Sequence, residues 1–137
     1  MAVVTGLDTP VSPAPRRVTI ALVVLQLWVV VAYLVMGPVP YFWPDAAYPS
    51  LIEHGVPEAL LVLPGVLLAM PGFWIVVFGV AVGAILAGAG AGTLAVNRRV
   101  VSTRLATWLV VATLLNVALL VFSLTPLGTD VRIWVLD

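Results

Sequence analysis

Apolar residues in this chain come in long unbroken runs; they neither alternate nor fall on a single helical face. Val18 to Met36 reads VTIALVVLQLWVVVAYLVM and carries no charge. At the α-helical rise these positions cover about 28 Å, close to the thickness of a bilayer's hydrocarbon core. Gly37-Pro38 stops the run. Ala59 to Val96 follows, again without one charge. As a single helix it would reach about 57 Å, too long for one crossing. Pro64 and Pro71-Gly72 divide it into a short piece, 57–70, and a full span, 73–97. A last run, 104–124, ends at Thr125-Pro126-Leu127-Gly128. The pattern predicts an all-α fold: a small polytopic integral membrane protein, a four-helix bundle with three full spans and one short second helix. Residues 1–17, with Pro10, Pro13 and Pro15, read as a disordered cytoplasmic segment. Residues 125–137 read as a short tail.

The short helix, 57–70, leaves two topologies open. If it is re-entrant or lies on the surface, Arg16, Arg17, Arg98, Arg99 and Arg104 share one side and Arg132 stands alone opposite. If it crosses, the arginines divide evenly. Cytoplasmic loops collect basic residues, which favours three spans with a cytoplasmic N-terminus. The Met70-Pro71-Gly72 corner suits a hairpin between antiparallel helices and favours four. Residues 37–57 are Pro-rich and hold Tyr41, Phe42, Trp43 and Tyr48, residue types that settle at the headgroup level. They read as an irregular segment at the membrane surface. Trp74 and Trp108 sit near the starts of their spans as interface anchors, and Trp28 sits mid-span as a packing residue.

Composition agrees with the pattern. The chain is 63% hydrophobic and 9% charged, with mean hydropathy +1.21. A soluble domain averages about 45–50% apolar and about 25% charged residues. An ordinary water-soluble globule is therefore excluded, and so is a disordered chain, which needs low hydrophobicity. Formal net charge is zero and Cys is absent. No basic field exists for nucleic acid, and thiolate chemistry, disulfides and Cys-held metals are excluded. The GAGAG run at 88–92 is not followed by Gly-Lys-Ser/Thr, so it is no phosphate loop and no nucleotide is expected. No cofactor is implied. Arg16-Arg17 reads as a charge anchor before the first span, not as an export signal.

Three features carry candidate function. Gly79, Gly83, Ala87, Ala91 and Ala95 recur every four positions, with Ala84, Gly88 and Gly92 beside them. Small residues let helix backbones approach closely in lipid. Such a face serves packing within the chain, a homo-oligomer or a larger membrane complex. Gln26 and Asn116 are the strongest hydrogen-bonding groups inside spans, lie at similar depth, and are expected to face the interior and bond to each other. Glu53, His54 and Glu58, with Asp45 nearby, form the one titratable cluster. It suits acid–base or metal chemistry only if its members converge. The favoured function is a non-enzymatic accessory or assembly subunit of the plasma membrane, acting through helix packing. A transporter or channel component, and a membrane enzyme using the His/Glu cluster, are the alternatives.

Overall fold

Apolar chain away from water satisfies its own N–H and C=O groups most simply as helix, and every element among the described residues is helical. The structure, a computed structural model, describes residues 13–46, 53, 55, 57, 60, 62–63, 65–97 and 101–137. Helix α1 spans Pro13–Met36, α2 spans Pro38–Phe42, and a 3-10 turn covers Pro44–Ala46. A π-helical segment, Gly65–Ala69, runs into α3, Met70–Val77. Then come α4, Gly79–Asn97; α5, Thr103–Leu124; and α6, Pro126–Leu136. Three stretches, Pro15–Phe42, Gly79–Asn97 and Thr103–Leu124, are long and apolar enough to cross a membrane.

Chain direction follows from the contacts. Gly79 faces Ser123, Gly83 faces Leu120 and Gly90 faces Thr113, so α4 and α5 are antiparallel. Tyr33 meets Gly79, and Gln26 meets Leu86 and Gly90, so α1 and α4 are antiparallel as well. Helices α1 and α5 are parallel, with Gln26 beside Thr113 and Asn116, and Tyr33 beside Ser123. The C-terminal end of α1 and the N-terminal end of α4 thus lie at the same end of the bundle. Helix α3 packs on the C-terminal end of α1, with Gly72 against Ala32 and Met36, and Val76 against Gly37.

Four expectations are corrected. The first helix begins at Pro13, five residues before Val18, so 13–17 are not disordered; residues 1–12 lie outside the described residues. Proline is tolerated in a first helical turn, where its missing N–H had no partner. Met70-Pro71-Gly72 is not a corner, because helix runs through it. The π turn just before Pro71 widens the ladder where a proline ring would otherwise strike the preceding carbonyl. The break falls instead at Phe78, with φ −102° and ψ 20°, and splits the expected 73–97 helix. The tail is helical over Pro126–Leu136.

Thr125 explains that last helix. Its hydroxyl accepts from the Gly128 N–H at 3.1 Å and donates to the Phe122 carbonyl at 2.6 Å, and Pro126 follows in the first turn. The cap closes α5 and opens α6 at once. Thr125→Ala is expected to cost about 1 kcal/mol. The loss should appear as faster trypsin cleavage at Arg132.

The two ends of the bundle differ. Exposed Phe42, Trp43, Trp74, Phe78 and Trp134 crowd the end where α1 finishes, and Tyr41 packs edge-on against Trp134 at 6.0 Å. The opposite end carries exposed Arg16, Arg17 and Arg104, with Trp108 exposed one turn away. Trp28 packs against the core cluster.

Candidate functional site

Thr19, Gln26 and Tyr33 stand seven residues apart on α1. This spacing keeps them on one stripe, and all three are buried. The stripe faces Thr113 and Asn116 on α5, also buried. Gln26 and Asn116 are both 0% exposed. The Gln26 Nε2 group donates to the Leu86 carbonyl of α4 at 2.8 Å and to Thr113 Oγ1 at 3.4 Å. Asn116 Nδ2 donates to the Ala112 carbonyl at 2.8 Å and to the Gln26 main-chain carbonyl at 3.4 Å. The expected side-chain pair is thus replaced by contacts to main-chain carbonyls. Gln26 still ties α1 to α4, and Asn116 ties α5 to α1. Tyr33 and Ser123 add a cross-tie one tier away, where the Ser123 hydroxyl donates to the Tyr33 oxygen at 3.3 Å.

Small residues on α4 divide between two faces. Gly79, Gly83, Leu86 and Gly90 are buried. At Gly83 an added Cβ would sit 3.0 Å from the Leu120 Cβ and 3.3 Å from the Asn116 carbonyl, so the two backbones nearly touch. Ala91 and Ala95 of the four-residue ladder are exposed, and Ala87 is half-buried. A strict four-residue step drifts about 40° per step on a helix of 3.6 residues per turn, so the buried stripe moves to Leu86 and Gly90. Gly90 had no place in that ladder; a 3.6 period started at Gly79 finds it. Gly88 and Gly92 lie on the opposite, exposed face, where an added Cβ meets nothing within 4 Å.

The titratable cluster is only partly within the described residues. Asp45 is exposed in the 3-10 turn and Glu53 is exposed, whereas His54, Glu58 and Tyr48 lie outside them. Among the described residues no three His, Cys, Asp or Glu gather as a metal site would require. A groove of about 260 Å³ runs between α1 and α5, walled by Val30, Leu34, Leu115, Leu119 and Phe122. Those walls are almost wholly apolar, with Tyr33 the one lining residue that carries a polar group.

The fold and site therefore define an all-helical protein with three helices apolar and long enough to span a membrane. No family model, curated protein or solved structure matches the chain.

Proposed function

We propose that this chain is a three-span plasma-membrane protein with a cytoplasmic N-terminus, and that it works as a non-enzymatic assembly subunit through the outward face of α4. One observation carries the reading. The inward glycines are spent on α1 and α5, yet the outward face still presents Ala84, Gly88 and Gly92 with open space above the two glycines. Large apolar side chains would serve a lipid-facing surface equally well. Small ones at four-residue spacing let another helix approach closely. The partner is another membrane helix, from a second copy or a larger complex. The charge distribution supports the orientation, with exposed Arg16, Arg17 and Arg104 together at one end, since cytoplasmic loops collect basic residues.

Gly88→Leu with Gly92→Leu should abolish cross-linked assemblies in native membranes. The folded chain itself should not be destabilised, because each exposed helical glycine replaced by leucine gains about 0.5–1 kcal/mol of helix propensity. Assemblies that survive the pair of substitutions would refute the proposal. Orientation has its own check, because the chain has no Cys to give background. Ser102→Cys, exposed at the start of α5, should react with a membrane-impermeant thiol reagent only after cells are opened. Reaction in intact cells would reverse the assigned orientation.

A further inference from the structure

The seam between α1 and α5 is closed along one half and open along the other. Toward the arginine end, Val23 of α1 packs with Leu109 and Ala112 of α5 in one buried cluster. Beyond the polar layer of Gln26, Thr113 and Asn116, the seam opens into the groove of about 260 Å³. Its walls run from Val30 to Pro38 on one side and from Leu115 to Phe122 on the other. At the helical rise the groove is about 12 Å long, most of the depth of one leaflet. A membrane-crossing helix would need a seam open over the whole span. A hydrocarbon chain that enters from one face and stops at mid-depth needs only this half.

The outer end of the groove has the character of a headgroup site. Tyr41 and Trp134 meet edge-on at that end, and such residues settle at the headgroup level. Val131 of α6 lies beside Gly37, next to Pro38 of the groove wall. Arg132 follows it, and its charge acts on Tyr33, itself a lining residue. Asp45, Asp130 and Asp137 are exposed at the same end. One cation among three carboxylates suits a headgroup of both signs, with phosphate for Arg132 and ammonium for a carboxylate.

Resting on the reading of the chain as membrane-spanning, we propose that the groove between α1 and α5 holds one acyl chain of a zwitterionic phospholipid, with its phosphate at Arg132. The lipid comes from the leaflet at the aromatic end. Its chain supplies the dispersion contacts that the bare walls lack.

Phosphatidylcholine with a diazirine at the tip of one acyl chain, in vesicles carrying the whole protein, tests this on illumination. Val30 and Leu115, at the inner end of the groove, are compared with Val31 and Leu114. Those two match them in residue type and depth but are exposed outside the groove. The groove pair should take about fivefold more adduct, a preference of about 1 kcal/mol. Equal adducts at all four would overturn the proposal and leave the chain in the membrane. No adduct on any helix would overturn the membrane reading and the proposal with it. Ala118→Trp, on the exposed part of the groove wall, should cut the Val30 adduct severalfold, and an unchanged adduct would refute occupancy. Arg132→Gln should release co-purified phosphatidylcholine severalfold faster in detergent, and unchanged release would refute the phosphate contact. Disulfide-linked pairs formed through Leu34→Cys would give the groove to a second copy and overturn the lipid.

Discussion

Gly90→Val should destabilise the folded chain in mild detergent by about 2–6 kcal/mol, well beyond the effect of any exposed substitution. Two effects add up. A Cβ at this position runs into Thr113 Oγ1, lies 2.7 Å from Gln26 Nε2 and 3.1 Å from the Thr113 Cβ. Over-packing of this kind costs about 1–3 kcal/mol. Gln26 must also move, and it then gives up its bond to the Leu86 carbonyl. A buried amide stripped of its partner costs about another 1–3 kcal/mol. The control is two residues away. Gly88→Val makes the same chemical change on the same helix, in open space. The helix-propensity change is shared, so the difference between the two variants isolates the contact with the polar layer. Denaturation by a harsh detergent, followed by circular dichroism, reads both. Equal stability of the two variants would mean that Gly90 does not pack against Gln26 and Thr113.

That pair of glycines also marks where the sequence is legible and where it is not. The three long apolar runs were readable because length and absence of charge leave a bilayer-scale helix as the economical conformation, and residues 79–97 and 103–124 are such helices. Gln26 and Asn116 stood out for the same reason, as polar groups where apolar ones are expected. Which glycines face inward was not readable from a four-residue step, because the helix turns every 3.6 residues and the error accumulates toward Gly90. Pro71-Gly72 was misleading as a stop signal. Proline forbids a regular α-turn before it, but a single π turn absorbs the ring, and nothing in the local sequence distinguishes that outcome from a corner. Phe78, where the break falls, carries no breaker signal at all. Of Glu53, His54 and Glu58, only Glu53 falls among the described residues, and it is exposed.

Gly72→Leu should release α3 while leaving the polar layer intact, a result that separates the two halves of the Ala59–Val96 run. At Gly72 a Cβ would lie 2.5 Å from the Ala32 carbonyl oxygen and 2.9 Å from the Met36 Cβ. The first of these is backbone within α1, which cannot rotate aside as the Thr113 side chain can. Helix α3 must therefore lift, and Ile75 and Val76, both buried now, lose their contacts with α1 and α6. Gly83 and Gly90 lie beyond the Phe78 break, so the packing of α4 on α5 is spared. Ile75→Cys gives a reporter in a chain without other cysteines. Docking weakened by about 1–3 kcal/mol should raise its thiol reactivity between about fivefold and about a hundredfold when Gly72→Leu is added. The Gln26 and Asn116 side-chain resonances should not move. Unchanged reactivity would show that α3 is held by something other than its contact with Ala32. A simultaneous shift of the Gln26 resonance would show that α3 and α4 move as one rod, so that the Phe78 break does not uncouple them.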